Sequence, residues 1–390
     1  VLTEQRIERD QQIEIEFVET HGEWFSSCAA PGGHASIAHS PPLGFALDVF
    51  GESISRMDRI NFSHASGHLN LIGTKKKYHH KLDPRDRSGD KMAVKTRSLL
   101  PGCMLVAACA MQQAHAFENG VSPYPAGATV TGIASLPPIP GLFVLQQFSY
   151  TFANALYGND GNKLPLPFRS SASVATTRII ASYPIHFLGA NVYSQLVLPV
   201  VSLHMSIAGQ SSVQNGLANV TVSPVILQWR PSSSVTIATG LDLMTASGSY
   251  SATKNSVAVG YSSLQPVFAI RYNTPDGLDV GLSNRLMINQ TNRDTSYHSG
   301  STYVGEFTLG WNFGPWKAGV VGAYLNQFAD DAQSGVTVAA GNRARSFAIG
   351  PAVSYDGHWF NVALNYQRGL YAANTAKSSS VWLNIAIPLL

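Results

Sequence analysis

The chain has 390 residues, with 26 basic and 23 acidic side chains and a formal net charge of +3. This near-balance gives none of the basic footprint that a nucleic-acid binder needs. The 3 cysteines, none of them beyond Cys109, leave no disulfide framework or cysteine metal site in the long carboxyl-terminal part.

Charge is spread unevenly: residues 1–91 carry 11 basic and 13 acidic side chains, and the far longer stretch 117–390 carries 13 and 10. Residues 1–91 hold no sustained helical or strand period and include Lys75-Lys76-Lys77 and His79-His80. They read as a doubtful extension, either disordered or lying ahead of the true start. Met92 then opens an export signal. Lys95 and Arg97 make a basic start, Leu99 to Met111 is apolar, and Ala114-His115-Ala116 is a small-x-small cleavage site. On this reading Met92–Ala116 is a signal peptide for the Sec route, and the mature chain begins at Phe117. Two other readings stand beside it: an extension with a core helix at 99–111, and a lipoprotein signal, because Val106-Ala107-Ala108 precedes Cys109. Residues 117–140 contain Pro123, Pro125, Pro137, Pro138 and Pro140 and cannot form a central strand. They are either a small plug across or inside a bore, or a simple periplasmic leader.

Residues 141–390 alternate apolar with polar side chains, the period of a strand with two different faces. Phe307, Leu309, Trp311 and Phe313 share one face, and Val381, Leu383, Ile385, Ile387 and Leu389 another. About twelve segments follow, near 142–156, 170–186, 191–207, 217–229, 235–246, 257–272, 278–290, 301–313, 316–328, 343–355, 359–371 and 378–389. Their lengths suit tilted membrane strands. Short links (Leu188–Ala190, Pro231–Ser234, Thr274–Gly277, Gly314–Pro315, Asp356–Gly357) alternate with long ones (Gly158–Phe168, Ala208–Gly216, Gly248–Asn255, Thr291–Gly300, Asp330–Asn342, Ala372–Lys377). Tight periplasmic turns and longer outer loops sort this way in an outer-membrane barrel, and a soluble sandwich has no reason to. Aromatic residues gather at segment ends, among them Trp229, Trp311, Trp316 and Trp359, as interfacial girdles would. The expected fold is all-β: an up-and-down antiparallel transmembrane barrel of about twelve strands, closed because an open edge in hydrocarbon would strand its amides.

Chemistry is sparse. His186, His204, His298 and His358 lack zinc spacing. Neither a nucleophile elbow nor a phosphate loop occurs. The loop Asn292-Arg293-Asp294-Thr295-Ser296-Tyr297-His298-Ser299 combines a base, a hydroxyl and a carboxylate, but adjacent strand residues point to opposite sides and a base must reach its nucleophile. It reads as a hydrogen-bonded loop shaping the mouth rather than a catalytic site. Asp330-Asp331 reads as a solvated loop tip, since two carboxylates are too few for a cation. No catalytic residue, metal or cofactor is expected. Inward-facing polar candidates are Arg285, Asn289, Glu306, Asn312, Arg345, Asn361, Asn365 and Gln367, and their mixed charge argues against an ion-selecting ring.

Several local runs resemble the "meta-pathway of phenol degradation" outer-membrane family. They are Phe117-Glu118-Asn119-Gly120 followed by Tyr124-Pro125-Ala126-Gly127; Asn289, Asn292, Thr295, Tyr297, Ser299 and Gly300; Phe313-Gly314-Pro315-Trp316; and Gly341-Asn342-Arg343 leading to Ala348-Ile349-Gly350-Pro351. The resemblance covers most of 117–390 and carries over no catalytic residue. It implies a Gram-negative outer-membrane barrel that admits small hydrophobic or aromatic compounds by passive diffusion. The implied partners are membrane lipid, the solute and the barrel-insertion machinery, with no nucleic acid. A rim enzyme and a soluble periplasmic β-protein that binds a ligand are the alternatives.

Overall fold

The computed structural model describes residues 116–357 and 359–389; the extension at 1–91, the export segment as far as residue 115, His358 and Leu390 lie outside the described residues. The strands are β1 (Gly141–Tyr157), β2 (Phe168–Phe187), β3 (Ala190–Ile207), β4 (Gln210–Leu217), β5 (Thr221–Trp229), β6 (Val235–Met244), β7 (Ser263–Asn273), β8 (Leu278–Asn289), β9 (Tyr297–His298), β10 (Thr302–Phe313), β11 (Trp316–Gln327), β12 (Ala332–Gln333), β13 (Val336–Thr337), β14 (Arg345–Asp356), β15 (Asn361–Ala373) and β16 (Thr375–Pro388). Among the described residues no helix is long and apolar enough to cross a membrane, a fact without bearing on strands.

Each main strand pairs antiparallel with its neighbours. β1 joins β16, and a β2–β3 pairing closes the ring. The ring therefore holds the expected twelve strands: β1 to β3, β5 to β8, β10, β11 and β14 to β16. Closure leaves no free edge in the wall, which hydrocarbon demands. β4 is the outer continuation of β5. The upper half of β3 pairs with β4 (Val200↔Leu217 to Ile207↔Gln210), and the lower half with β5 (Val197↔Thr221 to Asn191↔Gln228).

Two connections expected to be long are tight turns. Ala208 and Gly209 both take left-handed φ (51° and 84°), the geometry of a two-residue hairpin turn, and residues 210–217 continue as strand. At the other, Asn374 at φ 50° alone separates β15 from β16. The sequences Gln210-Ser211-Ser212-Val213-Gln214-Asn215 and Thr375-Ala376-Lys377 show no apolar alternation because they lie at the outer rim, away from the lipid. The segment expected from 257 starts only at Ser263, so the loop between β6 and β7 spans 245–262. The other long connections are outer loops. Those at 290–301 and 328–344 carry β9, β12 and β13, which form a three-stranded cap sheet.

The outward faces are greasy. Leu264, Phe268, Ile270, Leu282, Leu286, Ile288, Leu309 and Leu364 are each at least 39% exposed, whereas inward neighbours such as Arg285 and Thr308 are buried. In water this surface would need a covering layer; in lipid it needs none. Replacing Leu282, in mid-strand opposite Phe307, by arginine will cost about 2–4 kcal/mol if it sits near the bilayer centre. Urea titration of folding into lipid vesicles will read that loss, and the same change at the exposed outer-rim residue Gln210 will leave the midpoint unmoved.

The leader, residues 116–140, runs through the bore. Its outer end bonds to the outer loops: the Ala116 amide donates to the Asn374 carbonyl (2.8 Å), and the Glu118 amide to Ser299 Oγ (3.1 Å). Midway, Gln147 Nε2 of β1 and Gln367 Nε2 of β15 donate to the Ala128 and Gly127 carbonyls (2.9 and 3.1 Å). Near the periplasmic end the Tyr193 hydroxyl donates to the Pro137 carbonyl (2.9 Å), just before β1 begins at Gly141. Its partners on β1, β10 and β15 are inward-facing residues. Five prolines explain why it takes no place in the wall.

Candidate functional site

The middle of the bore is organised by Glu306, on the inward face of β10 and 3% exposed. Its carboxylate accepts from the Tyr124 hydroxyl (3.0 Å), the Gly127 amide (2.7 Å), the Thr129 amide (3.3 Å) and the Thr129 hydroxyl. One carboxylate thus gathers the leader's turn into a clasp. Gly127 is required there: its φ is +100°, and a Cβ would stand 2.4 Å from Gln367 Oε1. The Arg285 guanidinium lies 4.0 Å from the centre of the Tyr124 ring and adds a cation–π contact to the same clasp.

Arg285 is also one end of a polar chain along the wall. It pairs with Asp242 of β6 (2.7 Å) and donates to Gln265 of β7 (2.8 Å). Asp242 accepts from the Ser223 hydroxyl of β5, Ser223 Oγ accepts from Gln195 Nε2 of β3 (2.9 Å), and Gln195 Oε1 accepts from Arg178 of β2 (2.8 Å). A second pair lies nearer the periplasmic turns, where Asp279 accepts from Arg271 (2.6 Å) and Lys317 (2.7 Å). In these two sets each carboxylate meets a cation across the ladder, which makes its burial tolerable.

The cap grips the leader's outer end with a further pair of carboxylates. Glu118 accepts from Asn292 Nδ2 (2.7 Å), the Tyr250 hydroxyl (2.9 Å) and the Thr295 hydroxyl (2.6 Å). Burial, and then Glu118 itself, push the Tyr250 hydroxyl up to about 12. Asp331 is fully buried and accepts from the Tyr297 hydroxyl (2.7 Å) and the Gly300 amide (2.8 Å), so the expectation of a solvated loop tip is wrong for it. Only Asp330, ion-paired to Arg343 (2.6 Å), is at the surface. Beneath the cap, Phe117 packs with Met287, Val304, Leu325 and Ala344.

The sequence candidates therefore divide. Arg285, Glu306 and Gln367 meet the leader or its clasp. Asn365 accepts from Gln367 (2.9 Å) and supports it. Asn289 donates to the Ser299 carbonyl (3.1 Å), and Asn292 and Tyr297 belong to the cap. Arg293 and Asp294 are exposed on the outer loop. Two more of the residues expected to face inward lie at strand ends. Asn312 ties β10 to the periplasmic turn through Asn273 (2.8 Å) and Thr274 (2.7 Å), and Arg345 donates at the outer rim to the Asn159 carbonyl (2.9 Å). Asn312 keeps the inward register of Glu306 and Thr308, whereas Arg345, opposite Asn326, falls on the outward register of Tyr324. Asn361, at the start of β15, shares the inward register of Asn365 and Gln367. His298 approaches Thr291 (3.4 Å) and Ser299 accepts from Glu118, so their contacts lead in different directions. The sequence reading missed Asp242, Gln147 and Glu118 as members of the site. Glu118 and Tyr124 do stand in the runs that carry the family resemblance.

The leader fills the bore unevenly. Against β6 to β11 the inward residues are buried: Asp242, Gln265, Ala269, Arg285, Val304 and Val321 are at most 7% exposed. Along β2 and β3 the inward residues, in register with Gln147, stay partly exposed: Val174, Thr176 and Arg178 on β2, and Val197, Pro199, Val201 and Leu203 on β3. This wall of the bore is thus partly accessible, mixed on β2 and apolar on β3.

A closed barrel with a lipid-compatible exterior and a chain-filled interior is an outer-membrane β-barrel. A family model described as "Putative MetA-pathway of phenol degradation" matches residues 153–385, and the chain belongs to that family. An outer-membrane channel from Pseudomonas putida F1 has a similar fold, with a TM-score of 0.60 and 14% identity over 65% of this chain and 97% of that one. Likeness to the translocator domain of the autotransporter NalP from Neisseria meningitidis is looser, with a TM-score of 0.39 and 13% identity over 74% and 98%. So is that to a FadL homologue from Pseudomonas aeruginosa, at 0.38 and 8% over 67% and 97%. No curated relative matches the sequence.

Proposed function

We propose that the protein is a passive outer-membrane channel for small apolar or aromatic compounds, which enter beneath the cap and move along the β2–β3 wall past the leader. The observation that carries this reading is the unequal bore: polar and filled on the side of Glu306 and Arg285, apolar and accessible on the side of Val201 and Leu203. A water-filled porin would line its passage with polar groups. Here the polar groups are engaged with the leader or with one another along the wall. The P. putida protein is named a channel, and membership of a phenol-degradation family fits the aromatic class.

Vesicles containing the protein test this. Phenol or toluene will enter several times faster than a sugar of similar size, and Leu203→Asp will slow the aromatic flux while leaving the heat-modifiable band of the folded barrel in place. Equal entry of both solutes would remove the apolar track from the mechanism.

A further inference from the structure

Asp331, at the junction of cap and leader, is 0% exposed. Every donor that reaches it is neutral: the backbone amides of Phe117 (3.0 Å) and Gly300 (2.8 Å), the Tyr297 hydroxyl (2.7 Å), and the side-chain amides of Gln327 and Asn342 (the latter at 3.2 Å). None of the ion pairs among the described residues includes it. Burial pushes its carboxyl up, and the hydrogen bonds pull it only part of the way back. A carboxylate taken out of water without a cation is costly.

Phe117 adds an independent sign. Its backbone stands at φ 61° and ψ 157°, a combination that strains any residue with a side chain. The side chain is 4% exposed and fixed against Met287, Val304 and Leu325, so the packing holds the strain in place. The torsion φ of Phe117 exists only while Ala116 is attached. The bond between them is the one that the small-x-small pattern Ala114-His115-Ala116 marks for removal of an export segment.

We propose that the Ala116–Phe117 peptide bond is a processing site, and that the α-ammonium it releases forms a buried ion pair with Asp331, locking the outer end of the leader beneath the cap. In the cut, water adds across the bond. The Ala116 carbonyl carbon takes the oxygen and departs as a carboxylate. The Phe117 nitrogen keeps the electron pair of the broken bond and binds the protons, becoming an ammonium. Its nitrogen already lies 3.0 Å from Asp331 Oδ2, so no backbone rearrangement is needed. One hydrolysis supplies the missing positive charge, gives the nitrogen three donors in place of one, and abolishes the strained torsion. An uncut chain would carry the buried charge and the strain together, so the lock favours the processed form.

The test uses protein purified from outer membranes. Amino-terminal sequencing will find Phe117. An amine-acylating reagent will then modify the Phe117 α-amine at least about tenfold more slowly in the folded protein than after heat unfolding, since an ion pair that raises the amine pKa by one unit removes nine-tenths of the reactive free base. The exposed Lys163 and Lys254 serve as internal controls and will react alike in both states. Asp331→Asn will abolish the protection. The wild-type comparison stands even if that variant folds poorly. A mature chain beginning elsewhere, an α-amine equally reactive in both states, or protection that survives in a folded Asp331→Asn barrel would each overturn the proposal.

Discussion

Glu306→Ala will open the bore, raising single-channel conductance in planar bilayers several-fold over the wild type. The carboxylate holds four donors from Tyr124, Gly127 and Thr129 in a place that water barely reaches. Hydrogen bonds to a charged acceptor contribute roughly 1.5–3 kcal/mol each, and removing the acceptor leaves its donors unpaired. If water entering the gap recovers about half of that, roughly 4 kcal/mol is still lost from the seated leader, a shift of about a thousandfold between seated and unseated states. Glu306→Gln keeps an acceptor and should fall between the two. Gly127→Val attacks the same clasp through bulk and backbone, because its Cβ would collide with Gln367 and its φ of +100° strains any side chain. If both Glu306→Ala and Gly127→Val fold as heat-modifiable barrels and conduct like the wild type, the leader does not restrict the bore.

Asp242→Ala will destabilise the barrel wall by about 3–5 kcal/mol, because it leaves the buried Arg285 guanidinium without its counter-charge. Both side chains are less than a tenth exposed. The loss will appear as a lower temperature of the gel-mobility transition and a lower urea midpoint in vesicles. Asp242→Ala combined with Arg285→Met removes both charges and should regain most of the loss. The double-mutant cycle will then give a coupling well above the additive value. A single variant as stable as the wild type would mean that water solvates Arg285, and so that the bore is wet on the side where it looks filled.

The two experiments separate the wall from its contents. Asp242 spends its bonds on Arg285 and Ser223 of the wall and acts on the barrel, while Arg285 also touches the leader through Tyr124. Glu306 belongs to the same wall but spends its bonds on the leader, so it acts on passage. The distinction follows from which neighbours each carboxylate has, and residue type does not reveal it.

The wall was legible in the chain because strand alternation is a local property. In Glu306 to Phe313 every second residue is apolar, since each outward residue meets lipid and each inward one meets polar neighbours, whatever lies further away. The same rule gave the twelve segments and the tight periplasmic turns. It failed where lipid stops imposing it: 210–217 and 375–377 are strand in the structure but lie at the outer rim, and Arg345, at the start of β14, falls on the outward register. The contents of the bore could not be read at all. Glu306 meets Tyr124, and Asp331 meets Phe117, across separations of 182 and 214 residues, so nothing in the local pattern of either partner reports the contact. Strand alternation and the sorting of short and long links determined a lipid-facing cylinder. Only the tertiary structure decided that a proline-rich segment occupies it, because the bonds that hold the segment exist only after the strands have closed around it.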